Sequence, residues 1–153
     1  MIDFEIPDET KLVRAQVREF VQQVCIPAEK NLSVETLDDI LAELRQKARA
    51  QGLWCPFFPI EWGGMGLKPL ANALVQMELG ESMLGALALN TLGPDDATMM
   101  TLLHHGTAYQ HEKFLKPLVE GQKRVCYAMT EKGGGSDATG MKTSAIEDGV
   151  TTS

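Results

Sequence analysis

The spacing of apolar residues changes once along this chain, near Gly121, and that change limits what the chain can fold into. Before it, apolar side chains recur every three or four residues, as on one face of a helix; after it they alternate, as on a strand. Pro7 and Asp8 are good helix-starting residues, and Leu12, Val13, Val17, Phe20, Val21 and Val24 predict a first helix running to about Ala28. Leu37, Ile40, Leu41, Leu44 and Ala48 predict a second, with Gly52 placed to stop it. Pro69 opens a third, with Leu70, Leu74 and Met77 on one face, ending near Gly80. Met83 to Leu89 reads as a helix apolar nearly all round, which must be buried against other helices or in an oligomer contact.

Caps mark the remaining helices. After Gly93-Pro94, the pair Asp95-Asp96 suits the positive end of a helix dipole, and His104-His105 suits the negative end before Gly106. Thr107-Ala-Tyr-Gln110 has the form of a capping box, and His111, Phe114, Leu115 and Leu118 supply the stripe of the next helix, which Pro117 should kink or end. Between Leu53 and Lys68 the periodicity collapses among Trp, Pro and Gly, which predicts a compact loop wedged into the structure. The expected fold is mainly α: an antiparallel helical bundle over residues 1–121, followed over 122–153 by the first strands of a β domain.

Beyond Gly121, Val125, Tyr127 and Met129 point to one face of the expected strand, and Cys126, Ala128 and Thr130 to the other. Gly133, Gly134 and Gly135 then end it. Three glycines in a row can adopt positive φ and present main-chain N–H groups with no Cβ in the way, which suits a phosphate or pyrophosphate. The plain alternative is a flexible turn.

A net charge of −7 without a dense Lys/Arg stripe argues against nucleic acid as a partner. Cys25, Cys55 and Cys126 are odd in number and lack metal-ligand spacing, which favours a reducing, cytoplasmic setting over a disulfide framework. No apolar run approaches the ~20 residues of a membrane span. His104 and His105 read as caps, and His104, His105 and His111 do not read as a ligand set, since adjacent helical positions point about 100° apart. The eight methionines are scattered through the helical faces and read as core filling.

The whole string Tyr127-Ala-Met-Thr-Glu-Lys-Gly-Gly-Gly-Ser-Asp137 resembles the flavin-binding signature of the acyl-CoA dehydrogenase family. Glu61-Trp-Gly-Gly-Met-Gly66 is similar to that family's Glu-Tyr-Gly-Gly-x-Gly, and His105-Gly106-Thr107 through Leu118 to its Gly-Thr-x-x-Gln helix. The resemblance implies FAD as cofactor. It implies that the backbone of Tyr127 and Met129 meets the pyrimidine side of the flavin, that the Thr130 hydroxyl bonds near N5, and that Gly135 and Ser136 approach the pyrophosphate. Ser136 would also touch the pantetheine side of an acyl-CoA substrate. The implied reaction removes an α-proton by a carboxylate while hydride passes from the β-carbon to flavin, with an electron-transfer flavoprotein-like acceptor and a homo-oligomer as companions.

The family's chain is far longer, so this one reads as truncated: the catalytic carboxylate lies in the family's C-terminal helical domain, and after Glu147-Asp148-Gly149 the closing residues to Ser153 no longer follow the pattern. The fragment is therefore expected to be inactive alone. Lys132 stands where the family has proline and Gly134 where it has alanine, and both changes loosen the unbound turn. Glu131 reads as structural rather than as a substitute base. The competing reading is a helical interaction module that keeps a decayed flavin signature.

Overall fold

The computed structural model describes residues 5–144 and 146. Helix α1 (Asp8–Phe20) starts after Pro7 with Asp8 and Glu9 in its first turn. It continues through a π-helical turn, Val21–Cys25, into the short α2 (Ile26–Ala28) and a 3-10 turn, Glu29–Asn31. The expected first helix is thus present but widened near its end. Pro27 explains the place: a proline ring crowds the carbonyl four residues earlier and offers no N–H, and a π turn is one way to relieve both. The same pairing recurs downstream, where α7 (Ala108–Gln110), the π turn His111–Leu115 and α8 (Lys116–Val119) form one continuous rod, with Pro117 in the first turn of α8.

Helix α3 (Leu37–Ala50) ends as expected at Gly52, whose φ of 70° lets the Leu53 N–H reach back to Ala48. Helix α4 (Pro69–Leu79) follows, and α6 (Gly93–His105) carries Asp95 and Asp96 in its first turn. The stretch expected to be helical from Met83 to Leu89 is only the single-turn α5 (Gly85–Ala88). Leu84 and Leu89, on either side of that turn, are buried at 1% and 0% exposure, whereas Met83 is 78% exposed.

The loop 53–68 is wedged in, as its composition predicted. Trp54, Cys55 and Phe58 are buried, and Cys55 donates its N–H to Leu89 at 2.9 Å. Gly64 is required there, because a Cβ would lie 2.1 Å from the Phe58 carbonyl oxygen. The core gathers Val17, Phe20 and Val21 of the first rod with Leu41 and Leu44 of α3, Val75 and Leu79 of α4, Met99 of α6 and Leu115.

Helices α1 and α4 are in extensive contact. Arg14 and Arg18 both reach Glu78 near the end of α4, while Thr10 and Val13 border one cavity with Leu70 and Ala71 at its start. The two helices therefore run in the same sense, which corrects the antiparallel expectation for this pair. Helix α6 and the α7–α8 rod do pack antiparallel, with Leu102 meeting His111.

The β expectation needs a larger correction. Among the described residues there is no strand: 123–130 carry no regular structure, and the Val125 N–H bonds only to the Asp95 side chain. Alternation supplies one side of a ladder, but a strand exists only when a second chain segment accepts its hydrogen bonds, and none among the described residues lies beside this one. Residues 150–153, where the sequence pattern is expected to lapse, fall outside the described residues, as do 147–149 before them.

Candidate functional site

The path of the signature segment is set at the end of α8. A helix leaves its last carbonyls without partners, and here four in succession are taken by side chains from elsewhere in the bundle. Asn90 donates to Leu118 O (2.9 Å), Trp54 Nε1 to Val119 O (2.9 Å), Arg49 to Glu120 O (2.7 Å) and Arg45 to Gly121 O (2.8 Å). Arg49 also stacks on Trp54, its guanidinium carbon 3.6 Å from the ring centroid. Gly121 turns the chain with φ 69°, and a Cβ there would come within 2.9 Å of the Trp54 ring. Four residues on, Val125 donates its N–H to Asp95 Oδ1 at 2.9 Å.

From that anchor the chain runs outward. Tyr127 and Met129 are 56% and 54% exposed. A turn follows in which Gly134 N–H donates to Glu131 O at 3.0 Å, with Lys132 and Gly133 at its centre. Two carboxylates hold the loop from within. Glu131 accepts from Lys142 N–H (2.9 Å to Oε2), from Thr143 N–H (2.6 Å) and from the Thr143 hydroxyl. Asp137 accepts from Thr139 N–H (3.0 Å), the Thr139 hydroxyl (2.6 Å) and Gly140 N–H (3.2 Å). These bonds favour the charged forms, so both carboxyls lie below their ordinary range, Glu131 chiefly through the Thr143 hydroxyl and Asp137 chiefly through the Thr139 hydroxyl.

A cavity of about 140 Å³ lies inside this loop, bordered by Met129, Thr130, Glu131, Gly135, Asp137 and Met141, among others. Three of the residues singled out from the sequence, Met129, Thr130 and Gly135, are thus brought to one place. Tyr127 and Ser136 do not border it and face outward. Asp137 and Met141 border the site although neither is assigned a role from its residue type; the short-range pattern Asp-x-Thr-Gly, an Asx turn, is the signal for Asp137.

None of Gly133, Gly134 and Gly135 uses the positive φ that glycine allows. A Cβ on Gly133 or Gly135 would meet nothing within 4 Å, and on Gly134 only ordinary contact at 3.5 Å. The fold of the loop itself therefore requires none of the three. The N–H groups of Gly133, Gly135 and Ser136 have no partner among the described residues, and Lys132 stands exposed beside them.

The histidines divide their expected work. His104 and His105 do occupy the last turn of α6, but the ring that bonds the helix end is His111, with Nε2 2.8 Å from Leu102 O. Among the described residues no three His, Cys, Asp or Glu side chains are grouped to hold a metal ion. Cys25, Cys55 and Cys126 are all free; burial pushes the thiols of Cys25 and Cys55 up to about 12 and about 11. No helix among the described residues is long and apolar enough to cross a membrane.

The model of the acyl-CoA dehydrogenase N-terminal domain matches residues 7–122, which is most of the bundle. The chain belongs to the acyl-CoA dehydrogenase family. It is 32% identical over 146 residues to acyl-CoA dehydrogenase family member 10 of Mus musculus, covering 87% of this chain and 14% of that protein. It is 31% identical over 148 residues to the caffeyl-CoA reductase-Etf complex subunit CarC of Acetobacterium woodii, covering 93% and 37%. The solved structure of a putative acyl-CoA dehydrogenase from Mycobacterium abscessus superposes with a TM-score of 0.82 at 31% identity, over 91% of this chain and 38% of that one. The chain thus spans between about a seventh and two fifths of the length of these relatives.

Within acyl-CoA dehydrogenases, whose chains are longer, a loop held open by its own carboxylates can serve as one wall of a ligand site. Ligand sites commonly measure about 300–1,000 Å³, so the 140 Å³ here is too small to enclose a dinucleotide. As one wall it fits, since among the described residues the N–H groups of Gly133, Gly135 and Ser136 have no partner and the space in front of Gly133 and Gly135 is open.

Proposed function

We propose that this chain forms the helical wall and the cofactor loop of a flavin-dependent acyl-CoA dehydrogenase. One observation carries the reading: three consecutive glycines that neither backbone angle nor packing requires. Glycine costs order in the folded loop, and a chain that gains nothing locally from three of them gains by letting a second body come close. FAD is the body that the family suggests.

In that site the main chain at Tyr127 and Met129 would meet the pyrimidine side of the ring, and the Thr130 hydroxyl the edge near N5. Gly135 and Ser136 would hold the pyrophosphate through N–H dipoles, with Lys132 adding charge. Ser136 would also face the pantetheine of the acyl-CoA. Bound flavin supplies a hydride acceptor, and the base that takes the α-proton belongs to a part of the family's chain that this one does not include. Glu131 does not serve as that base, because its oxygens are already engaged by Lys142 and Thr143. One relative's name carries an Etf complex, which supports an electron-transfer flavoprotein-like acceptor. A homo-oligomer and a cytoplasmic setting complete the reading.

The 153 residues alone should show no oxidation of saturated acyl-CoA thioesters above a flavin-only control with an artificial electron acceptor. Turnover above that control would overturn the division of labour between this chain and the remainder of the family's fold.

A further inference from the structure

The loop from Glu131 to Thr143 is tied by short-range bonds except at one point. The turn at Gly134 and the Asp137 cap each span two or three residues, whereas the Glu131 carboxylate reaches eleven and twelve residues ahead to Lys142 and Thr143. Among the described residues it alone joins the two ends of the loop. Glycines 133–135 and Lys132 give the turn no stiffness of their own, and an open glycine-rich segment loses much entropy when a ligand orders it. Closing the ring beforehand removes part of that loss, which is how preorganisation raises affinity.

We propose that Glu131 is a positioning residue for the cofactor: by gripping the Lys142 and Thr143 backbone N–H groups it holds the glycine turn in the shape that receives the pyrophosphate. This rests on the flavin reading above. The grip has a consistent geometry. Both carboxylate oxygens are used, Thr143 gives its hydroxyl as well as its N–H, and the cavity bordered by Thr130 and Gly135 lies inside the ring that the grip closes. Its action on the cofactor is indirect, through the placement of the Gly133, Gly135 and Ser136 N–H groups, which the loop itself leaves unpartnered.

The test uses the 153-residue chain with FAD as the probe, comparing wild type with Glu131→Ala, Glu131→Gln, Thr143→Val and Gly135→Val. Amide exchange at Lys142 and Thr143 reports the grip, and shifts of the Gly133–Ser136 amides during titration report flavin affinity. Helical amides in α1 and α3 check that each variant is folded. Glu131→Ala should abolish protection at both amides and weaken FAD roughly tenfold, the scale set by losing the net worth of one to two hydrogen bonds. Glu131→Gln keeps one accepting oxygen and should recover part of both signals, and Thr143→Val should lower both by less than Glu131→Ala. Equal amide exchange in wild type and Glu131→Ala would show that the grip does not exist. Lost protection with unchanged FAD affinity, while Gly135→Val still weakens binding, would reduce Glu131 to a local brace and overturn the proposal. If neither Glu131→Ala nor Gly135→Val alters the response to FAD, the flavin reading falls and the proposal with it.

Discussion

Asp95, buried in the first turn of α6, accepts the backbone N–H of Val125 at 2.9 Å, and that contact fixes where the signature segment leaves the helical bundle. The acceptor is a side chain 3% exposed, so the bond is shielded from water. Replacing Asp95 by Ala should cost about 1.5–3 kcal/mol, the range for a hydrogen bond to a charged group, while Asp95→Asn keeps an accepting oxygen and should cost less. Urea denaturation gives the energies, and amide exchange at Val125 shows whether the segment has come loose. Equal stability and equal protection in Asp95→Ala would mean that the contact does not anchor the segment.

A second prediction concerns acid. Glu78 is buried between Arg14 (2.6 Å) and Arg18 (2.8 Å), whose guanidinium groups hold its carboxyl down from 4.5 to about 2, Arg18 contributing most. A depressed carboxyl stabilises the fold above its unfolded pKa, and the stabilisation is lost as pH falls through the folded value. Glu78→Gln should therefore be less stable than wild type by about 1–2 kcal/mol at pH 7, a figure lowered because both arginines remain partly in water. The gap should close between pH 4.5 and about 2. A gap that stays constant over that window would assign the effect to packing rather than charge.

At Gly121 both backbone and space exclude a side chain. Gly121→Ala forces an L residue to φ 69° and drives its Cβ to 2.9 Å from Trp54. We expect a loss of about 1–3 kcal/mol and a change in Trp54 fluorescence, because the ring must shift away from Val119 O and Arg49. Unchanged melting and unchanged emission would show that the junction tolerates the methyl group.

Much of this was legible in the sequence where the cause is local. The capping box at Thr107 is present with both of its bonds, because its partners are three residues apart, and the stop at Gly52 needs only the residues beside it. Asp95 was readable as a helix-start charge, but its bond to Val125 joins positions thirty residues apart, and no local pattern encodes it. The same-sense packing of α1 on α4 escaped for the same reason. Alternation at 125–130 suggested a strand, yet a strand's hydrogen bonds belong to a neighbouring segment. At the loop, the residues were legible as a motif, while the internal grip of Glu131 and Asp137 appears only once the chain is folded.

Thr130 and Gly135 should fail differently in a polypeptide extended to the length of its relatives. Thr130→Val removes one hydroxyl at nearly constant volume and should slow flavin reduction about tenfold, equivalent to about 1 kcal/mol or somewhat more, with flavin content retained. Gly135→Val puts a branched side chain into space now open and should reduce flavin content itself. Absorbance of the purified variants and stopped-flow bleaching with acyl-CoA separate the two. Wild-type values in both would return the segment to an ordinary turn.

The most direct test of the central claim is the visible spectrum of that extended polypeptide, recorded before and after anaerobic addition of a saturated acyl-CoA. The account predicts a stoichiometric yellow flavoprotein whose absorbance bleaches on addition of substrate, while the 153 residues alone bind FAD only weakly and purify colourless. A colourless extended protein, or a yellow one that no acyl-CoA bleaches, would contradict it.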